Sequence, residues 1–344
     1  MVEYCGASMY NDRENNYIKS GCEANMNPFP YSNDNKRYKS IAYENSLQGM
    51  KTYKAVIDAG FTCPNIDGTK GAGGCIYCDG GSGYFTACAA VSIEKQLTDE
   101  LSRIRKKVPD ALAIAYFQSH SNTYAPVSKL KALFEAALSH EGISGLSIAT
   151  RADCLSPDVL DYLAELNTRT RLTVELGLQT IFDETAAIIN RGHSFSEFTE
   201  GYNALEERGI RVTVHIINGL PNETLNMMVE TARTIGKMRP DGVKIHLLHV
   251  ITGTPLCEMY ERGEYVPMSL SDYVETVVRQ LEVLPPETTI ERLTGDGDQK
   301  TLVAPIWSQD KIRVLGTIDK LMASEDTWQG RLFVCPQNEF GVKK

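Results

Sequence analysis

From residue 53 onward, short apolar runs alternate with longer stretches in which apolar residues recur every three or four positions. The first pattern is typical of strands buried in a parallel sheet, and the second is typical of amphipathic helices. The predicted strands cover residues 54–61, 111–117, 145–150, 172–178, 211–217 and 243–250. The predicted helices that follow them cover residues 91–107, 127–138, 157–166, 183–190, 197–207, 223–238 and 271–284.

This alternation of strand and helix predicts an α/β fold in which parallel strands are joined by right-handed crossovers. The sequence contains no doubly wound dinucleotide-binding fingerprint. We therefore expect an incomplete (β/α)6 TIM-like barrel with parallel strands. In barrels of this kind the reactive groups lie at the C-terminal ends of the strands.

The chain is predicted to have three parts. Residues 1–40 are polar and lack a sustained period, which predicts a poorly ordered N-terminal extension that becomes partly ordered toward its end. Residues 41–285 form the predicted barrel. Residues 286–344 form a short C-terminal α/β extension that packs on the barrel, with a strand, a turn, a second strand and a closing helix at 308–322. Cys5 and Cys22 lie in the first part, either as loosely packed thiols or as an accessory metal site.

A glycine-rich stretch at residues 61–85 contains Cys63, Cys75 and Cys78, with eleven residues between the first two and two between the last pair. Glycines let a loop wrap tightly, and cysteine thiolates bind soft metal ions or iron–sulfur clusters. A structural zinc site or an electron-transfer cluster normally takes four protein ligands, so three cysteines leave one metal position open. The alternative is a non-enzymatic zinc-binding module in which a residue such as Cys88 is the fourth ligand.

The charge balance bears on the class of partner. The 344 residues include 35 Lys and Arg against 44 Asp and Glu, a formal net charge of −9. This balance argues against a surface built wholly for nucleic acid, although a local basic patch can coexist with it. Two basic runs are interpreted either as solvated faces or as nucleic-acid contacts: Lys36, Arg37 and Lys39, and Arg103, Arg105, Lys106 and Lys107.

Hydropathy and cysteine usage bear on the compartment. No apolar run approaches the ~18 residues of a membrane span, and the first ten residues lack the features of a signal peptide. The nine cysteines are odd in number and concentrated in one motif, which favours metal ligands in a reducing compartment over a disulfide framework. We expect a cytoplasmic protein with no membrane partner. Outside the motif, Cys88, Cys154 and Cys257 are expected to be small buried apolar residues.

Polar side chains interrupt the predicted strand at 172–178. Glu175 and Gln179 share the face opposite the leucines, whereas a helix-covered parallel strand is normally apolar on both faces. This predicts a polar cavity on that side, with a structural hydrogen bond as the alternative. Arg151, after the third strand, is expected either to clamp a ligand carboxylate or to pair with Asp153 or Glu175.

Two further polar segments lie at predicted strand ends. Residues 118–124 are dense in donors and acceptors, which suits either a polar small molecule or a capped turn. The sixth strand contributes three candidate catalytic residues, for which hydrogen-bonded core positions are the alternative: Lys244, His246 and His249.

The cysteine motif, with an aromatic residue just before its last cysteine, resembles the cluster motif of radical S-adenosylmethionine (radical SAM) enzymes. The usual spacing there is three and then two residues, and the eleven residues here resemble the branch of the catalytic subunit of Elongator. The chain resembles the bacterial YtqA/YhcC family more closely still, over roughly residues 53–307. The matching stretches, in order, are DAGFTCPNIDGTKGAGGCIYC, FQSHSNTYAP, TRADCLS, ELGLQT, NRGHS, HIINGLPNET, KIHLLHV-ITGTPL and RLTGDG.

The resemblance implies a 4Fe–4S cluster held by Cys63, Cys75 and Cys78, with SAM on the fourth iron. Tyr77 would then pack by the adenine of SAM, and the candidates for its methionine and ribose ends are Gln118, Asn122, Glu175 and Gln179. Reductive cleavage of SAM would give a 5′-deoxyadenosyl radical that abstracts a hydrogen atom from the substrate. An electron donor such as flavodoxin or ferredoxin is implied as a partner.

The resemblance also implies a substrate. Kinship with Elongator indicates the wobble uridine of tRNA, and the YtqA side of the family is associated with trimming a carboxymethylaminomethyl group to an aminomethyl group. That chemistry needs a basic surface for the anticodon stem-loop. Since radical SAM barrels host many reactions, a small-molecule or protein substrate is the alternative.

Overall fold

The computed structural model describes residues 27–47, 51–79, 89–295 and 297–335. Its main sheet has seven parallel strands in the spatial order β1-β2-β3-β4-β5-β6-β8, curled into a half-barrel. The predicted parallel partial barrel is therefore confirmed. The strands of this sheet are β1 (Tyr53–Ile57), β2 (Ala113–Phe117), β3 (Ile143–Thr150), β4 (Arg171–Gln179), β5 (Arg211–Asn218), β6 (Gly242–Leu247) and β8 (Thr289–Arg292).

Helices connect successive strands. Because every connection between parallel neighbours must cross back over the sheet, the helices that join these strands can bury an apolar face against it. In α2, for example, Ile93, Leu97 and Leu101 are buried, and Ser92 caps the first turn through its side chain. The helices are α1 (Ile41–Leu47), α2 (Ile93–Arg105), α3 (Val127–Leu138), α4 (Pro157–Asn167), α5 (Asp183–Ile188), α6 (Phe195–Glu206), α7 (Leu225–Met238), α8 (Pro255–Glu261), α9 (Leu270–Val283) and α10 (Lys311–Ser324).

The end of the sheet differs from the six-strand prediction. The predicted strand 243–250 ends early, at Leu247, and the chain then forms β7 (Val250–Ile251), which pairs antiparallel with β9 (Leu302–Ala304). The main sheet continues instead with β8, which comes from the segment predicted as the C-terminal extension. The apolar residues Leu247, Leu248 and Val250 lie on both sides of this turn and are all buried, so the apolar pattern did not mark where the strand ends.

The described part of the N-terminal extension packs on the last strand of the sheet. Ser40 forms a parallel bridge with Ile290, and the Ile290 amide donates to the carbonyl of Lys39 at 2.7 Å. Phe29 is buried. This segment covers the exposed edge of β8, which would otherwise present unpaired backbone groups. Residues 1–26, with Cys5 and Cys22, lie outside the described residues.

The C-terminal ends of the strands meet at one edge of the half-barrel, as in any parallel sheet. The connections at this edge include the cysteine stretch after β1 and the turns after β2 to β6. Within the described ranges, no helix is both long and apolar enough to cross a membrane.

Candidate functional site

The eleven residues between Cys63 and Cys75 fold back as a small hairpin. Asp67 and Ala72 form an antiparallel bridge, and the amide of Gly68 donates to the carbonyl of Gly71 at 3.1 Å. The amide of Lys70 also donates to the carbonyl of Pro64, at 2.8 Å. The long spacing therefore forms a closed turn, and the chain returns at Cys75 to the region where it left Cys63.

The three thiols lie within electrostatic reach of one another. Burial, with smaller contributions from the neighbouring Cys78 and Cys63, raises the pKa of Cys75 to about 11, although Tyr77 and Arg151 act to lower it. A tight turn joins the last pair, since the amide of Cys78 donates to the carbonyl of Cys75 at 2.9 Å. All three cysteines are partly exposed and free of disulfides. Thiols held together in this way bind metal by releasing protons.

The donor set fits a 4Fe–4S cluster. In such a cluster each thiolate binds its own iron, so the sulfurs need not converge on one point. Among the residues that the structure describes, no three His, Cys, Asp or Glu side chains converge on the position of a single metal ion. Cys88, the alternative fourth ligand, falls outside those residues.

Tyr77 stands between Cys75 and Cys78 in the sequence. Its ring packs against an apolar cluster that includes Ile189, Leu220 and Leu256, from the connections beyond β4, β5 and β7. Burial raises the pKa of Tyr77 well above its usual value, and the neighbouring Cys75 adds to this. The packing of Tyr77 against an adenine ring stays a prediction.

Inside the half-barrel, the carboxylate of Glu175 accepts hydrogen bonds from side chains on five other strands. Glu175 is 1% exposed. Burial alone would raise the pKa of its carboxyl, but Lys244, Lys54 and His215 more than offset that effect and hold it well below the usual value. The donors are Lys54 Nζ at 2.5 Å, Ser147 Oγ at 2.6 Å, His215 Nε2 at 2.7 Å, Tyr116 OH at 2.8 Å, and Lys244 Nζ.

This geometry favours the structural alternative for Glu175, since its oxygens are already occupied by protein donors. A contact between Glu175 and SAM stays a prediction. Glu291 on β8 joins the same network, because Lys54 Nζ lies 3.0 Å from its Oε2 and Thr213 donates to its Oε1 at 2.8 Å. We call Lys54, Tyr116, Ser147, Glu175, Thr213, His215, Lys244 and Glu291 the barrel network.

The remaining predicted cofactor residues lie near the C-terminal edge of the sheet. Asn122 is fully buried, and its Nδ2 donates to the carbonyls of Ala149 at 2.8 Å and Phe117 at 3.2 Å, which ties the turn after β2 to β3. Gln118 directly follows β2. Gln179 ends β4 with a φ of +66°, in the left-handed region. The contacts of these three residues with SAM are untested.

Two candidate catalytic residues, Lys244 and His246, lie on β6, and the third, His249, follows it by two residues. Burial lowers the pKa of Lys244 to about 8, although Glu175 raises it. The rings of His246 and His215 lie 5.2 Å apart, and a Cβ on Gly295 would lie 3.2 Å from the ring of His249. The Nε2 atoms of His246 and His249 are buried without a hydrogen-bond partner among the described residues. Burial lowers the pKa of His249 to about 4, so it is neutral at physiological pH.

Arg151 takes one of its predicted alternatives, a bidentate pair with Asp153 at 2.9 and 2.8 Å. Lys70, from the hairpin, contacts the same carboxylate at 2.7 Å. Arg151 also donates to the carbonyl of Arg191 at 2.6 Å. The turn after β3 is thereby fixed to the cysteine hairpin and to the turn after α5.

Neither basic run forms a free surface at the edge where the cysteines lie. Lys36 pairs with Asp319 at 3.1 Å, and Arg37 is buried and pairs with Asp326 at 2.7 Å. The other run ends α2 and precedes β2, which places it at the opposite end of the half-barrel.

Several residues of the site were not found from the sequence. Lys54, Asn65, Asn190 and Glu291 are separated from their partners by more than a hundred residues. The one available signal was a charged residue in a short apolar strand, as at Lys54 in β1. That signal predicts an inward polar contact but does not identify its partner.

The sequence of this chain matches two family models and several known proteins. Residues 65–235 match the family model described as Radical SAM superfamily, and residues 240–324 match the Radical_SAM C-terminal domain. The chain is 48% identical over 309 residues to the protein YtqA of Bacillus subtilis (89% of this chain, 96% of that protein) and 33% identical over 275 residues to YhcC of Escherichia coli K12 (80% and 88%).

Two comparisons concern Elongator. The chain is 34% identical over 156 residues to human Elongator complex protein 3, which covers 44% of this chain and 28% of that protein. The solved structure of archaeal Methanocaldococcus infernus Elp3 with an N-terminal deletion superposes with a TM-score of 0.61 and 20% identity. That match covers 81% of this chain and 64% of the Elp3 chain, and it indicates a shared fold.

Proposed function

Because the chain belongs to the radical SAM superfamily, whose enzymes use a 4Fe–4S cluster and SAM, we propose that its substrate is the wobble uridine of tRNA. The proposed reaction removes the carboxymethyl group from a carboxymethylaminomethyl side chain and leaves an aminomethyl group. When held by Cys63, Cys75 and Cys78, the cluster and SAM would supply a net two-electron oxidation of the carbon–nitrogen bond, with SAM reduced to methionine and 5′-deoxyadenosine. Hydrolysis of the oxidised bond would release the two carbon atoms as glyoxylate and leave the aminomethyl group. The support is the ordered set of eight stretches that resemble the YtqA/YhcC pattern, together with the similarity to human Elongator complex protein 3 over 156 residues.

We assign the cluster to Cys63, Cys75 and Cys78. The observation behind this assignment is a three-thiol hairpin at the C-terminal edge of a half-barrel with a polar interior. SAM would lie against Tyr77 and reach toward Gln118, Asn122, Gln179 and Glu175. Lys244, His246 and His249 are the proposed groups that hold or move a proton, at Nζ and Nε2.

The reduced state requires an external electron, for which flavodoxin or ferredoxin is the proposed donor. A tRNA substrate and a reducing compartment both agree with a cytoplasmic location. The proposed roles of the barrel network are to close the interior to bulk water and to orient Lys244.

A second candidate is the same chemistry on a small molecule or on a protein side chain. One observation favours it. Lys36 and Arg37 are held by Asp319 and Asp326, so this run does not offer free charges for an anticodon stem-loop. The tRNA proposal therefore needs basic contacts from elsewhere in the chain.

Replacing Cys78 by Ala should abolish both the cluster and the reaction, because each thiolate holds a separate iron. The measurement is iron content and 5′-deoxyadenosine formation after anaerobic reconstitution, reduction and addition of SAM. Cys335→Ala is the control, since this cysteine is exposed and lies far from the motif in sequence, so both quantities should be unchanged. Cys88→Ala should also retain the cluster. Loss of iron in Cys88→Ala, or one zinc per chain without iron, would contradict the three-ligand assignment.

The substrate is tested separately, by mass spectrometry of tRNA nucleosides from a strain that lacks the gene. Accumulation of the carboxymethylaminomethyl nucleoside, reversed by the wild-type gene and not by Cys78→Ala, is expected. Unchanged wobble nucleosides, together with an active purified enzyme, would favour the second candidate.

A further inference from the structure

Asn65 is a fully buried asparagine, two residues after Cys63, and its amide faces the next cysteine of the hairpin. Its Nδ2 lies 3.9 Å from Cys75 Sγ and also donates to the carbonyl of Asn190. An amide nitrogen carries two hydrogens, so both contacts can be made at once. The backbone of Asn65 takes part as well, since its carbonyl accepts from the amide of Gly74 at 2.8 Å.

The orientation of this amide is fixed by its neighbours. A carbonyl can only accept, so the atom of Asn65 that faces the carbonyl of Asn190 must be the nitrogen. The other amide atom of Asn65, Oδ1, lies close to the backbone of two glycines. A Cβ on Gly192 would lie 2.6 Å from Oδ1, and a Cβ on Gly71 would overlap it. The side chain therefore directs a donor, not an acceptor, at Cys75.

Asn190 holds the hairpin from the other side. Its Nδ2 donates to the carbonyl of Gly74 at 2.7 Å and to that of Ala72 at 3.2 Å. Its φ is +53°, a left-handed conformation that asparagine tolerates better than most residues. Next to it, the amide of Ile76 donates to the carbonyl of Ile189 at 3.1 Å. We call these contacts of Asn65 and Asn190 the asparagine clasp.

The clasp acts where the cysteine spacing is unusual. A hairpin of eleven residues could place Cys75 in many positions relative to Cys63, and loop length alone adds little free energy to select one. Four hydrogen bonds that involve the two asparagines hold the backbone at Asn65, Ala72 and Gly74, the residue just before Cys75.

We propose that the asparagine clasp positions the cluster ligand Cys75, with Asn65 raising the reduction potential of the cluster through its N–H···S contact and Asn190 holding the hairpin ready for cluster binding. This inference rests on the proposed role of Cys75 as a ligand. A donor to a cluster thiolate stabilises the reduced state more than the oxidised state, because the reduced cluster has the greater negative charge. Asn65 and Asn190 are thus positioning residues, and neither is proposed to touch the substrate.

The first test is the midpoint potential of the reconstituted cluster, measured by anaerobic redox titration followed by electron paramagnetic resonance. Asn65→Leu keeps the branched shape and removes the donor, so its potential should shift to more negative values. Asn65→Asp removes the same donor and adds a charge, so its shift should be larger. Thr69→Val, in the same hairpin but on its exposed side, should leave the potential unchanged. Because the titration reports only loaded protein, poor folding lowers the signal without moving the potential.

The second test separates the role of Asn190. Asn190→Gly keeps the left-handed backbone and the carbonyl that accepts from Asn65, but removes the side-chain contacts to the hairpin. In iron-free full-length protein, Cys75 should be alkylated several-fold faster than in the wild type, as measured by mass spectrometry. Asn222→Gly is the matched control, since Asn222 is also left-handed, with a φ of +65°, and lies in the turn between β5 and α7.

The outcomes are distinguishable. A wild-type potential in both Asn65 variants overturns the tuning role, and a shift in Asn65→Asp alone shows that charge, not the donor, acts on the cluster. Equal alkylation rates in Asn190→Gly and wild type overturn the positioning role. If Cys75→Ala still binds a full cluster, the ligand assignment fails instead, whatever the asparagine variants show.

Discussion

At the scale of single residues, polar groups in this protein are buried in two different ways. Glu175 is surrounded by donors from five strands, so its charge is compensated at every oxygen. His193 is 6% exposed, and neither of its ring nitrogens has a hydrogen-bond partner in the part of the chain that the structure describes. Burial, with smaller contributions from Arg191 and Arg151, lowers the pKa of His193 to about 3.

This pKa predicts how stability depends on pH. The unfolded state, with a histidine pKa near ~6.5, binds more protons than the folded state between that value and about 3. The stability that His193 contributes is thus fully present above ~6.5 and is lost as the pH falls toward the folded value. At pH 5 the loss should be on the order of 2 kcal/mol. Urea unfolding of iron-free protein at pH 7 and pH 5 measures it.

The control for this prediction is His193→Gln, which does not titrate in this range. Its stability should fall less between pH 7 and pH 5 than that of the wild type. Equal pH dependence in the two proteins would show that His193 is not held neutral in the folded state.

At the scale of elements, the backbone of helix α6 packs closely against the turn that follows Arg151. Gly201, within α6, lies directly against this turn. A Cβ on Gly201 would lie 2.5 Å from the carbonyl oxygen of Ala152 and 2.9 Å from its Cβ. Because the nearest atom is a backbone oxygen and not a flexible side chain, the turn at Ala152 would have to move to accommodate the added Cβ.

Gly201→Ala should therefore destabilise the protein, although alanine is favoured over glycine in helices. Overpacking costs about 1–3 kcal/mol, which exceeds the helix-propensity gain of about 1 kcal/mol. Gly316→Ala in α10 is the matched control, because nothing lies within 4 Å of its added Cβ. It should stabilise the protein by up to about 1 kcal/mol. Chemical unfolding of both variants measures how each changes the free energy of unfolding. A change of the same sign in both variants would contradict the packing argument.

At the scale of the whole molecule, side chains link the two edges of an open sheet. β1 and β8 are the outermost strands, yet Lys54 on one and Glu291 on the other form an ion pair at 3.0 Å. Glu175 contacts the same lysine from the centre of the sheet. The barrel network thus spans the interior of the half-barrel between edges that have no backbone pairing with each other.

A double-mutant cycle with Lys54→Met and Glu291→Gln tests this link. Each single variant leaves a charge near the interior with one partner fewer, so each should be destabilising. The double variant should be more stable than the sum of the single effects predicts, with a coupling energy of roughly 1–3 kcal/mol. The measurement is urea unfolding of all four proteins. Additive effects would show that the pair does not connect the edges energetically.

The sequence predicted helices and strands well where the spacing of apolar residues kept one period throughout the element. The helix Val127–Leu138 agrees at both ends, because its apolar spacing is regular and Pro126 fixes its start. The strand 243–250 was predicted too long, since burial on both sides of a turn gives the same apolar run. The seventh strand was predicted as part of a separate extension because Thr289–Arg292 is short and half polar.

By itself, the sequence determined the parallel half-barrel, the three-cysteine motif at its C-terminal edge and the family to which the chain belongs. These depend on local periodicity and on residues close in sequence, which a linear pattern records directly. Only the tertiary structure decided which groups meet: Glu175 with five strands, Lys54 with Glu291, and Asn65 with Asn190. Such contacts join residues far apart in sequence, and the partner of a buried charge or amide is set by how the strands curl, which no local pattern contains.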